Sequence, residues 1–200
     1  MKTTDLPAVF STGRKTILRP INKTTDLPSI VRWVNDPEVQ QYVAMFRPST
    51  LEQEKAWAEK LDNDEKNIVF AIETRPLRGK SSRLIGLMGL HGINWKDRVA
   101  ETGAMIGDKR YWGKGYGTDA KMQLINYAFN VLGLHKLTSA ALAYNQRSLR
   151  YSLHCGYKVE GTRKRQIFKD GEYRDLIILG LFREDWLPIW RKYQKTGRVK

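Results

Sequence analysis

The stretch RYWGKGYGTDA (residues 110–120) sets glycines at 113, 115 and 117 immediately before a segment with helical spacing. That segment, TDAKMQLINYAFNVLG (118–133), carries Met122, Ile125, Phe129 and Leu132 on one stripe, with Thr118 as expected N-cap and Gly133 at the C′ position. Upstream, VAETGAMIG (99–107) alternates like a strand that ends near Gly107. A loop of nearly bare backbone thus joins a strand end to a helix N-terminus. Amide N–H groups there lack intrahelical partners, and the helix dipole favours an anion. Glycine lets a ligand approach the backbone without a Cβ in the way. A pyrophosphate suits the site, with Arg110 and Lys114 nearby; a loop that only turns and caps the helix is the structural alternative.

Two familiar phosphate loops do not fit. The P-loop pattern puts its lysine at the start of the helix, whereas Lys114 lies between two glycines. The dinucleotide fingerprint needs different glycine spacing inside a parallel βαβ unit. Here NIVFAIET (67–74), RLIGLMGLHGIN (83–94) and residues 99–107 form three consecutive strand candidates separated by short turns, which predicts antiparallel pairing.

Working outward, KTILRPI (15–21) reads as a strand. TTDLPSIVRWVND (24–36) reads as a helix stopped by Pro37, and STLEQEKAWAEKLDND (49–64) as a helix with Ser49 and Glu52 at capping-box spacing. In the latter, Leu51, Trp57, Ala58 and Leu61 are expected to face inward. HKLTSAALAY (135–144) is a strand and NQRSLRYSLHCG (145–156) a short helix capped by Asn145. KDG (169–171) is a hairpin turn between two further strands. The order β-α-α-β-β-β-α-β-α-β-β predicts an α+β fold with a mixed, mostly antiparallel central sheet flanked by helices. A flexible N-terminal arm is expected over 1–14, a single domain over 15–186 and a basic C-terminal tail over 187–200.

An apolar share of 41% in 200 residues supports a sizeable core without staples. The one cysteine, Cys155, excludes an internal disulfide and is expected to be packed. No apolar run reaches membrane-span length, and the N-terminus MKTTDLPAVF has no signal-like apolar region, so a cytoplasmic location is expected. His91, His135 and His154 lie in separate elements without metal-ligand spacing, so each is expected to be structural or exposed and no metal is implied.

The segment YWGKGYGTDA (111–120) resembles the acetyl-coenzyme A loop of the GNAT superfamily of N-acetyltransferases, closest to the RimJ/RimL-type branch. ILRPI (17–21), WVNDPEV (33–39), NQRSLRYSLHCGYKVEG (145–161) and KDGEYRDLIILGLFREDW (169–186) agree with it in order and spacing. The resemblance implies a GNAT-like acyl-CoA N-acyltransferase fold, acetyl-CoA as co-substrate, and direct acetyl transfer to a primary amine. It maps the family loop pattern onto Trp112, Gly115 and Gly117, with Trp112 replacing the usual Gln or Arg. The pyrophosphate is then expected on the backbone of Gly113, Lys114, Gly115, Tyr116, Gly117 and Thr118. Met105, Ile106 and Gly107 are expected to run along the pantetheine arm, on a strand that splays from its neighbour, and Asn145 to touch that arm. A backbone N–H near Ile106 is expected to meet the thioester oxygen.

Many relatives place a tyrosine seven residues after the asparagine; here that position is Ser152, which becomes the candidate donor to the leaving thiolate. Tyr151 points about 100° away on a helix and is expected in the core. Glu101 is the candidate proton acceptor, with a structural hydrogen bond as its alternative. Asp175 is expected to be structural. Trp33, Trp57 and Trp95 are candidates for the floor of the acceptor groove, with core burial the commoner fate.

The net charge of +14 is unevenly spread: residues 26–66 hold nine acids and five bases, a net of −4, leaving +18 elsewhere. In the resembled family the first two helices and the last hairpin shape the acceptor groove, so this split hints at a cationic acceptor. A protein N-terminus, an aminoglycoside or a polyamine all remain open. A second reading takes RKRQIFK (163–169) and the basic tail as a ribosome or nucleic-acid contact. No membrane partner is implied, and a homodimer is left open.

Overall fold

The computed structural model describes residues 8–43, 45–76 and 81–199. Its elements are β1 (Ser11–Thr12), β2 (Thr16–Arg19), α1 (Leu27–Val34), α2 (Pro37–Gln40), α3 (Leu51–Lys60), β3 (Ile68–Thr74), β4 (Leu84–Asn94), β5 (Val99–Ile106), α4 (Tyr116–Asn126), β6 (Lys136–Leu142), α5 (Gln146–His154), β7 (Lys158–Lys169), β8 (Glu172–Phe182) and α6 (Arg183–Thr196). The strands make one sheet in the order β1-β2-β3-β4-β5-β6-β8-β7. Every pairing is antiparallel except β5 with β6. This is the α+β architecture with a mostly antiparallel mixed sheet that the element order predicts.

Helices cover both faces. On one, Leu27, Ile30 and Val34 of α1 and Ala58 of α3 pack on Ala71 and Leu87. On the other, α4, α5 and α6 close over Phe70, Ile72, Ile85, Met88 and Leu90. Ile72 pairs with Gly86 but Glu73 with Leu84, so Ile85 is an extra residue in β4. This bulge reverses the alternation, which is why Ile85 and Met88 share a face while Leu87 takes the other.

The feature that positions the site is the short β5–β6 contact. The two strands pair only from Val99–Lys136 to Glu101–Thr138. Beyond that, β5 stays on β4 as far as Ile106, and β6 stays on β8 as far as Leu142. Two strands held by their outer neighbours and released from each other open a V in the sheet, the splay that the family resemblance implies.

Several local expectations shift. Pro37 does not simply end a helix; it sits in the first turn of α2, where its missing N–H costs nothing, and the Asp36 carboxylate accepts from the Glu38 amide. The α3 capping box uses Thr50 and Gln53, one residue later than expected, while Ser49 Oγ donates to Glu54. Consequently Glu54 and Ala58 are buried and Leu51 is exposed. Helix α4 begins at Tyr116 with Gly115, not Thr118, at the cap position.

The segment expected as a basic tail is mostly helix. α6 runs through the boundary expected at Trp186, and Trp186 and Tyr193 are both buried in the core. Tyr193 Oη donates to the Asp119 carboxylate. Of the expected N-terminal arm, residues 1–7 lie outside the described residues. The remainder is held: Phe10 stacks on Phe70 at 4.6 Å, and Ser11 and Thr12 pair with β2. No helix among the described residues is long and apolar enough to cross a membrane.

Candidate active site

The V between β5 and β6 opens into two adjoining cavities. The first, about 810 Å³, lies beneath α1, α3 and the β7–β8 hairpin. The second, about 460 Å³, runs between the glycine loop and α5. Tyr42, Val43, Ala104, Met105, Asn145, Ser148 and Tyr151 line both, so the two form one cleft with a waist at these residues.

The second cavity is built on the glycine loop. Gly113 and Gly115 adopt φ of +69° and +81°, left-handed conformations that an L side chain enters at a cost. No atom lies within 4 Å of a Cβ built on Gly113, and Gly115 has only the far end of Lys15 at 3.5 Å. The loop therefore offers open backbone at the start of an eleven-residue helix, a cradle that fits the pyrophosphate of acetyl-CoA. Gly113, Gly115, Gly117 and Thr118 line it, with Met105, Ile106, Trp112 and Asn145.

Not every expected loop residue faces it. Lys114 is exposed and its carbonyl accepts from Lys15 Nζ at 2.8 Å, while the Tyr116 ring stands edge-on to Tyr111. Gly107 packs against the Trp33 indole, where a Cβ would come within 2.0 Å of the ring. Arg110 turns away to chelate the Asp108 carboxylate. The arginines lining this cavity are Arg147 and Arg150 of α5 instead.

Trp112 explains its own departure from the family pattern. Its indole Nε1 donates to the Ile106 carbonyl at 2.6 Å, fixing the end of β5 against the loop. The Arg147 guanidinium lies 3.9 Å from the centroid of the Trp112 ring and 4.8 Å from that of Tyr42. The tryptophan is thus a wall with a cation stacked on it.

At the waist, Asn145 caps α5, accepting from the Ser148 amide at 3.1 Å, and also lines both cavities. Ser152 is fully buried and lines neither. The residues that α5 contributes to the waist are Ser148 and Tyr151. In Tyr151 the hydroxyl bears on the chemistry: it is buried and has no hydrogen-bond partner among the described residues. Burial lifts its pKa well above the usual phenol value. An orphaned buried hydroxyl is costly unless something arrives to meet it, and this one belongs to a side chain that lines both cavities.

The first cavity is mostly apolar, walled by Ile30, Val34, Met45, Trp57, Leu87, Leu142 and Leu176. Glu101, at the last β5–β6 pair, and His91, directly opposite it on β4, both face this space. Glycines 89 and 103 leave room for the imidazole, since a Cβ at Gly103 would lie 2.9 Å from His91 Nε2. Burial lowers the His91 pKa, opposed by the Glu101 charge. His91 therefore joins the site rather than standing apart from it.

Among the described acids of residues 26–66, only Glu54 lines the cavity. Asp26 is paired with Arg19, Asp36 and Glu38 with Lys109, Asp62 with Lys23, and Glu59 with Lys55. The charge split is thus largely spent on intramolecular pairs. Trp57 lines the cavity, whereas Trp33 is buried and Trp95 is exposed. Asp175 accepts from Lys164 Nζ and the Arg165 amide, a structural role at the β7 bulge. Among the described residues no group of three His, Cys, Asp or Glu side chains is placed to hold a metal.

Known proteins share this organisation. A family model described as an acetyltransferase (GNAT) domain matches residues 15–158. Spermidine N(1)-acetyltransferase of Escherichia coli (strain K12) is 30% identical over 170 residues, covering 85% of this chain and 87% of that protein. The putative ribosomal N-acetyltransferase YdaF of Bacillus subtilis (strain 168) is 32% identical over 103 residues, covering 52% of this chain and 56% of that protein. The crystal structure of spermidine N-acetyltransferase from Vibrio cholerae, in complex with CoA and spermine, superposes with a TM-score of 0.78 over 86% of this chain and 98% of that one. At 24% identity that likeness is one of fold. The chain belongs to the GNAT acetyltransferase family and is an N-acetyltransferase that takes its acetyl group from acetyl-CoA.

Proposed function

We propose that the chain acetylates a primary alkylamine of the polyamine type, and that donor and acceptor meet at the waist of the cleft. The observation that carries this is the pair of cavities joined at Met105, Asn145 and Tyr151 where β5 leaves β6. Acetyl-CoA, when bound, supplies the acetyl group as a reactive thioester.

The chain's residues then have distinct tasks. The backbone of Gly113, Gly115, Gly117 and Thr118 holds the pyrophosphate at the α4 N-terminus. Met105, Ile106 and Asn145 steer the pantetheine arm toward the waist. Glu101, with His91 beside it, receives the proton that the acceptor ammonium must lose before nitrogen can attack. Tyr151 takes the role expected of Ser152, its hydroxyl meeting the sulfur as the C–S bond opens.

The acceptor reading rests on two supports. Relatives named as spermidine N-acetyltransferases cover most of the chain. Apolar walls interrupted by the Glu54 and Glu101 carboxylates suit methylene segments punctuated by cationic nitrogens. A protein N-terminus is the second reading, favoured by the ribosomal acetyltransferase relative. A thiol-release assay with acetyl-CoA against polyamines, aminoglycosides and N-terminal peptides decides between them. Turnover with spermidine well above that with peptides is expected; preference for peptides would overturn the polyamine reading.

A further inference from the structure

Lys121 is a lysine buried where α4 faces the sheet. It is 1% exposed, yet it also lines the acceptor cavity. Its Nζ donates to Thr102 Oγ1 at 2.7 Å, one residue beyond the last β5–β6 pair. Thr102 Oγ1 in turn meets Tyr157 Oη at 2.8 Å and the Thr138 carbonyl at 3.1 Å. The rings of Tyr157 and Tyr151 lie 4.8 Å and 5.3 Å from the nitrogen. The amine is thus held at the root of the V, directly behind the tyrosine at the waist.

Among the described residues no carboxylate pairs with it. The titratable groups around it are Glu101 on β5, His91 on β4, Tyr151 on α5, Cys155 at the α5 C-cap, and Tyr157 just before β7. Cys155 is pushed up to about 12 by burial and stays a neutral thiol. With Cys155 neutral, Glu101 is the carboxylate whose charge acts on the lysine. A cation placed here without a counterion is expensive to bury, and such a group persists in a fold when its charge has a use.

We propose that Lys121 is a positioning residue for acetyl transfer, an internal ammonium that stabilises the negative charge passing through the thioester oxygen and onto the leaving sulfur. The step is balanced: the amine, already relieved of one proton by Glu101, forms the C–N bond, the C–S bond breaks with its electron pair going to sulfur, and the second proton that nitrogen sheds on becoming an amide ends on that sulfur. Lys121 keeps its own proton throughout and acts through space in a low-dielectric site. Tyr151, whose ring it underlies, stands between its charge and the reacting atoms.

Burial lowers the Lys121 pKa to about 8. The charged form is then present at neutral pH and lost as pH rises through about 8. Below that value its burial penalises the folded state; the penalty fades between about 8 and the unfolded value of 10.5.

This inference rests on the transfer reading above, and the two can fail separately. Thiol release by the wild type tests the transfer reading on its own. Given that turnover, Lys121→Met is expected to lower kcat at pH 7 about tenfold or more while the KM for acetyl-CoA stays within about threefold. The fall in wild-type kcat above pH 8 should disappear in the variant. In the free protein, Lys121→Met should melt at or above the wild-type temperature at pH 7, with the gain gone above pH 10.5. An NMR titration of lysine side-chain carbons in the free wild type should show one resonance with a midpoint near 8. A folded Lys121→Met with wild-type kcat and pH profile would overturn the assignment. If that variant does not fold, an NMR midpoint near 10.5, or a wild-type kcat flat from pH 7 to 9.5, overturns it instead.

Discussion

The indole of Trp112 donates to the carbonyl of Ile106 at 2.6 Å, tying the glycine loop to the end of β5. The same indole supports the Arg147 guanidinium at 3.9 Å. Trp112→Phe keeps most of the aromatic surface and removes the donor. Loss of one such bond, with a looser Arg147, should cost about 1–2 kcal/mol of acetyl-CoA binding, roughly a tenfold weaker Kd by calorimetry.

Gly115 tests the loop itself. Its φ of +81° is disfavoured for any L residue and most of all for a β-branched one. Gly115→Val should therefore strain the loop and crowd the ligand, weakening acetyl-CoA binding by about tenfold or more. Gly161→Ala is the control, because Gly161 has neither a positive φ nor any neighbour within 4 Å of its virtual Cβ. Equal affinity in the two variants would move the cofactor off this loop.

Asp119 tests why the chain before β2 is not a loose arm. Its buried carboxylate accepts from the amides of Arg14, Lys15 and Thr16, from Thr16 Oγ1, and from Tyr193 Oη of α6. Asp119→Ala leaves several of these donors without an acceptor and should destabilise the fold by about 3–5 kcal/mol in urea denaturation. Activity per folded molecule at low temperature should change little, since Asp119 lines neither cavity.

Lys169 ties down the roof of the first cavity. From the β7–β8 hairpin its Nζ donates to the carbonyls of Gln40, Val43 and Met45 at 2.7, 3.1 and 3.2 Å. Val43, Met45 and Ile167 all line the cavity. Lys169→Met should free that segment and raise the KM for the amine about fivefold or more, with a smaller rise in the KM for acetyl-CoA, because Met45 and Ile167 line the first cavity alone while Val43 lines both. Steady-state kinetics with each substrate varied in turn reads the difference.

What was legible in the sequence was chiefly local. Glycine density before a helical stripe located the loop, Asp170 and Gly171 formed the hairpin turn with φ of +51° and +79°, and Asn145 capped α5. Features that depend on a distant partner were not legible. Ser152 holds the family's position by count, but which of two adjacent residues faces the cleft depends on how α5 is rolled against the sheet. The basic residues after Trp186 masked an amphipathic repeat, Trp186, Ile189, Trp190 and Tyr193, whose spacing was there to be read. Lys121 offered a similar signal: it falls on the same helical stripe as Leu124, Ile125 and Ala128, all buried. The acids of residues 26–66 misled because charge composition does not show which acids already have partners.

The most direct test of the account is the kcat of Tyr151→Phe in a thiol-release assay, with acetyl-CoA affinity and melting temperature measured alongside. The hydroxyl has no partner among the described residues, so its removal should leave stability equal or slightly higher. If the transfer takes place at the waist, kcat should fall about tenfold or more while the Kd for acetyl-CoA stays within about twofold. Full wild-type kcat in Tyr151→Phe would contradict the placement of the reaction at the point where β5 parts from β6.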